Sequence, residues 1–222
     1  MQASELVGRV GGRYAGELGI DLTGGAPGEV YKWFLAALLF GARISESIAA
    51  RTYREFERAR LLTPERILAA GWDALVQVLD RGGYVRYDFK TATKLLDINR
   101  ALMLQYQGDL NRLHDACKDE AELERRLKGL GKGIGDITVN IFLRELRGIW
   151  RAAVPLPSER AIRAAKALRF VPNMLQDKAR ILDALRARWR AERRNAREFP
   201  EFEAALVRYG ATRRGNGARR HG

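Results

Sequence analysis

A glycine-rich segment in the second half of the chain has residue types and a spacing suited to binding phosphate. Residues 127–146 have the sequence LKGLGKGIGDITVNIFLREL, with glycine at positions 131, 133 and 135. Glycine tolerates positive φ and lets an anion approach the backbone closely. The first N–H groups of the helix that follows point outward, and the helix dipole favours negative charge there. The segment therefore predicts contacts to a phosphate backbone.

The residues around these glycines favour a turn between two helices. Lys128 and Lys132 place positive charge beside the turn, and Ile134 is expected to pack between the two helices. Apolar residues after the turn repeat at helical spacing and predict a buried face, formed by Val139, Phe142, Leu143 and Leu146. A tight loop without a ligand is the alternative interpretation. The dinucleotide-binding pattern needs a preceding strand, and an ATP-binding loop needs Gly-Lys-Ser/Thr, so neither fits.

The charge of the whole chain favours a polyanionic partner. Forty Lys and Arg residues oppose 27 Asp and Glu residues, which gives a net charge of +13. Such an excess is typical of proteins that bind nucleic acid or an anionic surface. The alternative is a basic enzyme from a genome that uses arginine heavily. A membrane-surface role is disfavoured, because no basic amphipathic helix carries a matching exposed aromatic face.

Cysteine and histidine content argues against a metal site or a cofactor. Cys117 is the single cysteine, which excludes an internal disulfide and any zinc or iron–sulfur site built from four cysteines. His114 and His221 lie far apart and predict neither a metal pair nor a catalytic triad. No run approaches the roughly 18 apolar residues of a membrane-spanning helix, and residues 1–12 lack the apolar core of a signal peptide. We therefore expect a cytoplasmic protein.

The periodicity predicts an all-α fold. Residues 1–29 are rich in glycine and predict a flexible or irregular N-terminal arm, residues 30–210 a helical domain with the hairpin at 124–147, and residues 211–222 a disordered basic tail. Helix boundaries are indicated by local residue types. They are a start at Ser45 or Ser47, a start at Thr63-Pro64-Glu65, a stop at Gly82-Gly83, a helix over 86–106, starts at Asp119 and Ser158, a basic helix over 174–197, and a short last helix from Pro200.

Three segments resemble one family of DNA-repair enzymes. Residues 132–141 (KGIGDITVNI) resemble the helix-hairpin-helix of endonuclease III-type DNA glycosylases, the HhH-GPD superfamily. Residues 34–45 (FLAALLFGARIS) are similar to that family's first helix and wedge loop, and residues 83–95 to its next turn and helix. The similarity spans roughly residues 30–170. It implies a two-lobed helical fold that binds duplex DNA, flips a damaged base and breaks its glycosidic bond.

The resemblance also implies which residues contact DNA. They are Lys128, Gly131, Lys132, Gly133, Ile134, Gly135 and Thr138 of the hairpin, together with Arg43 of the wedge loop. Arg43 would fill the space left by a flipped base or pair with the orphan base. A simple phosphate contact or solvent exposure of Arg43 is the open alternative. The family further implies a monomer associated with the nucleoid.

Two catalytic positions of the family are occupied by residues that cannot transfer a proton. The lysine that forms a Schiff base corresponds to Ile137, and the essential aspartate corresponds to Pro155, or to Val154 if the alignment shifts by one residue. We therefore expect no Schiff-base lyase activity. The chain also lacks the cysteines of the family's iron–sulfur cluster, and the basic helix after residue 174 is a candidate replacement.

Three interpretations of the missing aspartate remain open. Catalysis has been lost and DNA binding kept, or another acid has taken over, or the fold alone accelerates base loss weakly. The candidate acids are Asp136, Glu145 and Glu159. Each also has a structural interpretation: Asp136 as a helix-start residue, Glu145 on the solvated face of its helix, and Glu159 in a first helical turn. An RNA-associated helical protein is the alternative from a different class.

Overall fold

The computed structural model describes residues 1–85 and 87–218, with side chains up to residue 211. Within these residues the secondary structure is helical and contains no strand, apart from an isolated bridge between Arg147 and Trp150. The predicted all-α class is therefore confirmed. In the part of the chain that the structure describes, no helix combines the length and apolar character needed to cross a membrane.

The helices follow one another with short connections. In chain order they are α1 (Ala3–Val10), α2 (Tyr14–Glu17), α3 (Pro27–Phe40), α4 (Glu46–Arg58), α5 (Pro64–Gly82), α6 (Asp88–Tyr106), α7 (Leu110–Asp115), α8 (Glu120–Gly129), α9 (Asp136–Leu146), α10 (Glu159–Ala167), α11 (Lys178–Ala191) and α12 (Phe199–Ala218). A 3₁₀ turn, Ala196–Glu198, precedes α12.

The chain forms two compact units whose limits differ from the predicted domain boundaries. The central unit is Ala15–Ala153, and the terminal unit combines Met1–Tyr14 with the chain from Val154 onward. The predicted domains differ from this division, since they placed a boundary after residue 29 and a single domain over 30–210. The predicted hairpin lies wholly within the central unit.

Side-chain caps explain where several helices begin. Ser45 Oγ accepts a hydrogen bond from Ile48 N (3.2 Å), which selects Ser45 rather than Ser47 as the start of α4. Equivalent caps are made by Thr63 before α5, Asp119 before α8 and Ser158 before α10. Gly83 follows the last residue of α5 as its C-cap, and its φ of 88° suits glycine. The predicted basic helix over 174–197 is shorter, because α11 covers only Lys178–Ala191.

In the central unit, the hairpin helix packs on α3, and a buried hydrogen bond joins α3 to α6. Trp33 Nε1 donates to the carbonyl of Phe142 (3.0 Å), and the Phe34 and Phe142 rings meet edge to face at 5.2 Å. Tyr31 donates to Asn99 Oδ1 (2.7 Å), which fastens α6 to the same helix. All these groups are buried. Buried polar groups with partners avoid the desolvation cost of unpaired ones, so these bonds select one packing arrangement.

The terminal unit corrects the prediction for both ends of the chain. Residues 1–29 do not form an irregular arm: α1 is a regular helix, and its Ala3 and Leu6 are fully buried in the apolar core of this unit. The core also contains Phe202, whose ring packs against Trp189 at 5.8 Å. The predicted disordered tail is wrong for most of its length, because α12 continues to Ala218. Residues 219–222 of that prediction lie outside the described residues.

Glu192 connects the first helix to a segment near the end of the chain. Its carboxylate accepts hydrogen bonds from the backbone N–H groups of Ala3 (2.5 Å) and Ser4 (2.9 Å). Although burial raises the pKa of Glu192, these bonds lower it below its ordinary value overall. Glu192 thus caps α1 from 189 residues away.

Replacing Glu192 by alanine should destabilise the chain by about 1 kcal/mol, because two N–H groups at the start of α1 lose their acceptor. Urea unfolding followed by helical circular dichroism would measure the loss. Glu198→Ala, in the exposed 3₁₀ turn, is the matched control and should have little effect. Equal stability of the two variants would contradict the capping role.

Two carboxyl groups meet where α5 turns into α6. Partial desolvation and the hydrogen-bonded Asp88 carboxyl raise the pKa of Asp80 above its ordinary value. A raised folded-state pKa means that the associated stability is complete below the ordinary pKa and is lost as the pH rises through the raised value.

Asp80→Asn should therefore raise the thermal midpoint at neutral pH, because the repulsion from Asp88 disappears. The midpoints of the variant and the parent chain should converge at about pH 3, where Asp80 is protonated. Scanning calorimetry across this pH range would measure the difference, with Asp73→Asn on the same helix as the control. A lower midpoint for Asp80→Asn at neutral pH would contradict the assignment.

Candidate nucleic-acid interface

The glycine-rich segment forms the predicted turn between α8 and α9. Gly133 has φ +103°, a conformation that L side chains rarely adopt. Gly135 is the N-cap of α9 in an extended conformation (φ −100°, ψ −177°), and no side chain caps this helix. The start of α9 therefore presents backbone N–H groups without a side-chain acceptor, as an anion site requires.

Contacts across the turn hold the two helices together. Lys128 Nζ of α8 lies 2.7 Å from Asp136 Oδ1 at the start of α9, and 3.4 Å from Glu124 Oε2. The Lys128 ammonium lowers the pKa of Asp136 below its ordinary value. Ile134 is buried, which agrees with its predicted position between the helices. The predicted apolar face of α9 is also confirmed, because Val139, Phe142, Leu143 and Leu146 are all buried.

Helix α6 lies directly beneath the turn. A Cβ atom built on Gly131 would lie 2.7 Å from Ile98 Cγ1, and one on Gly133 would lie 2.8 Å from Lys94 Cδ and 2.9 Å from Lys94 Nζ. Glycine at these two positions therefore allows the close approach. Lys94 adds a positive charge to the turn. The sequence alone did not indicate this charge, because α7 and α8 separate Lys94 from the turn along the chain.

Exposed lysines lie around the turn. Lys132 within the turn and Lys94 beside it are both exposed, and Lys90 occupies the preceding turn of the same α6 face. Lys128 is partly neutralised by its two carboxylate neighbours. Lys132 and Lys94 are thus the cations best placed for an anion bound at the start of α9.

The predicted wedge loop lies beside the first turn of α9. A Cβ atom on Gly41 would lie only 2.1 Å from Thr138 Oγ1, so the loop after α3 and the hairpin helix are in close contact. Thr138 itself is only 3% exposed, and its contact with DNA stays a prediction. Arg43, two residues after Gly41, is exposed. The structure therefore brings Arg43 and the hairpin to the same part of the central unit.

The positions of the missing catalytic residues differ in their surroundings. Ile137 is 68% exposed at the start of α9, an unusual position for a large aliphatic side chain. Pro155 is buried in the terminal unit. The position that corresponds to the family's Schiff-base lysine therefore has a side chain without an amine.

The surroundings of one candidate acid differ from those expected. Glu145 was expected on the solvated face of α9, but it is 0% exposed. Its Oε2 accepts from the N–H of Ala15 (2.8 Å), and its Oε1 lies 3.6 Å from Arg144 Nη2. Enclosed in the central unit, this carboxylate has a structural role. Residues seven apart lie on the same face of a helix, so Glu145 shares the face of the buried Thr138.

The other two acids are exposed and paired with lysine. Asp136 is the first residue of α9, as predicted, and its partner is Lys128. Glu159 occupies the first turn of α10, also as predicted, and its Oε1 lies 2.7 Å from Lys178 Nζ. The bond to Lys178 lowers the pKa of Glu159 below its ordinary value. Both acids therefore favour the ionised form.

The backbone at Gly133 offers a direct test of the turn. Gly133→Ala should destabilise the chain by about 1–2 kcal/mol, because alanine is strained at this positive φ. Gly129→Ala is the matched control: it ends α8, has nothing within 4 Å of its added Cβ, and should be neutral or slightly stabilising. Urea unfolding would compare the two, and equal midpoints would contradict the turn conformation.

The arrangement can also be compared with known proteins. No model of a protein family matches this sequence, and no curated protein matches it. Support for a function therefore comes from the geometry of these residues and from the short segments that resemble endonuclease III-type glycosylases.

Proposed function

We propose that the chain binds duplex DNA by its phosphate backbone, through the turn between α8 and α9. The observation that carries this proposal is the uncapped start of α9 next to the exposed lysines Lys94 and Lys132. Helix N–H groups and lysines contact phosphate without reading the base sequence. The net charge of +13 supports the same partner.

Two further observations support membership of the glycosylase superfamily. The all-helical chain forms two compact units, as a two-lobed glycosylase would. The exposed Arg43 lies in a loop that contacts the hairpin helix, where a residue that fills the gap left by a flipped base would be useful. A chromosomal substrate implies that the protein acts at the nucleoid.

A monofunctional glycosylase and a non-catalytic lesion binder are the two forms of this proposal. With isoleucine at position 137, the position of the family's Schiff-base lysine has no amine. Glu145 is enclosed, so the remaining acids from the original set are Asp136 and Glu159, each ionised beside a lysine. A general acid or base needs access to the reacting group, and of the three candidate acids only these two are exposed. The non-catalytic form is favoured by Ile137 and Pro155.

The test uses labelled duplexes that carry a single uracil, alkylated base, oxidised base or abasic site. We expect binding that weakens steeply with salt, because phosphate contacts release counterions. Lys132→Ala should lower the affinity for every duplex by a similar factor and reduce the slope of log K against log salt by about 1. Lys118→Ala, an exposed lysine before the opposite end of α8, is the control and should change neither quantity.

Strand breaks distinguish the two forms. Breaks that require alkali indicate a monofunctional glycosylase, and Asp136→Asn and Glu159→Gln would then identify the acid. Binding without breaks on any substrate indicates a lesion or DNA-structure binder. Tighter binding to RNA than to duplex DNA would support an RNA-associated protein instead. Absence of binding to any duplex would overturn the proposal.

A further inference from the structure

Two aromatic side chains of the central unit are exposed next to each other. Trp72 of α5 is 39% exposed and Phe89 of α6 is 58% exposed, and their ring centroids are 5.3 Å apart at an interplanar angle of 35°. The other tryptophans, Trp33, Trp150 and Trp189, are all buried. Aromatic surface exposed to water lacks the stabilisation that burial gives, so the pair is a candidate surface for binding a ligand.

The rings are held in place by polar contacts. Trp72 Nε1 donates to Thr93 Oγ1 (3.1 Å), and the same hydroxyl donates to the carbonyl of Phe89 (3.0 Å). Gly71 breaks α5 with φ +74°, so Trp72 begins a new helical segment. The indole orientation is therefore set by the backbone of both helices. A preordered aromatic surface binds a flat ligand at a low entropic cost.

Lysines flank the aromatic pair on the side of the hairpin. Lys90 follows Phe89, and Lys94 follows Thr93 and lies over Gly133 of the turn. From Phe89 to Lys94 is about 7.5 Å along the axis of α6. A ligand on the rings is therefore within reach of the lysines that border the phosphate-binding turn.

Acids also lie near the pair, and two of them are either buried or paired with arginine. Asp88 is buried, and Asp97 pairs with Arg100 at 3.0 Å. Asp73, next to Trp72, is exposed on α5. Flat aromatic surface beside cations is the combination that binds single-stranded nucleic acid, with bases stacked on the rings and phosphates near the lysines.

We propose that Trp72 and Phe89 stack an unpaired nucleobase of a single-stranded segment whose phosphates contact Lys90 and Lys94. This site goes beyond duplex binding and needs no base excision; it rests on the proposed function only for the choice of a nucleic acid as the ligand. Stacking tolerates any base, because every base has a π face. The site would hold a strand that is single-stranded next to the duplex bound at the hairpin.

The test compares two probes of equal charge with the full chain. One is a 12-nucleotide thymidine oligomer, and the other is a 12-unit abasic sugar-phosphate oligomer. We expect the thymidine oligomer to bind about 10-fold more tightly, since stacking of a single base is sufficient for such a difference. It should also quench tryptophan fluorescence, because Trp72 is the exposed indole, whereas the abasic oligomer should not.

Variants assign the effect to the pair. Phe89→Leu keeps Trp72 as the fluorescent reporter and should reduce the preference for the thymidine oligomer over the abasic oligomer roughly several-fold. The double variant Trp72→Leu, Phe89→Leu should abolish this preference. Leu104→Ala is the matched control, because Leu104 is 87% exposed on the same helix but distant from the rings. The preference should be unchanged in this control.

The inference is overturned if both oligomers bind equally, if quenching is absent, or if the base preference survives the double substitution. A doubled mass in solution that the double substitution reverses would also overturn it, since a second copy would then cover the rings. If duplex binding depends on Lys132 but the thymidine oligomer binds no better than the abasic oligomer, this inference fails and the proposed function stands. If neither oligomer nor any duplex binds, the proposed function fails as well.

Discussion

The packing of α9 on α3 determines how the hairpin is presented. The ring of Phe142 lies against Phe34, and its carbonyl accepts the indole N–H of Trp33, so the later turns of α9 are buried. The first turn is left at the surface, with Asp136 and Ile137 exposed. Because one end of the helix is held in the core, its N–H groups at the other end point to solvent in a fixed direction. Any phosphate contact at this turn depends on that anchoring.

The same helix carries charge on its buried side. Glu145 is enclosed and satisfied by the N–H of Ala15, with Arg144 close by. A buried carboxylate is stable only with such partners, because its desolvation is costly. It therefore stabilises one arrangement of the central unit and is not available for catalysis. At the exposed end of α9 the carboxylate is Asp136, and the ammonium of Lys128 lowers its pKa and favours the ionised form.

Helix α6 relates the turn to the exposed aromatic pair. One face of α6 carries Lys94 and Ile98 under the glycines of the turn, and a neighbouring face carries Phe89 and Thr93. The helix is itself fixed to the core, since Asn99 accepts from Tyr31 and donates to the carbonyl of Leu95. A rigid helix thus sets the distance between the glycine-rich turn and the rings. A strand that contacts both would be recognised by this spacing.

The sequence by itself determined the helical class, the hairpin and the starts of several helices. These features are local: a cap such as Ser45 or Thr63 acts on an N–H three residues away, and the turn glycines act on their own backbone. Only the tertiary structure decided that α1 joins the end of the chain through Glu192, that Glu145 is buried, and that Lys94 lies on the turn. These contacts join residues distant in sequence, and no local pattern of residue types specifies which distant partner will pack there.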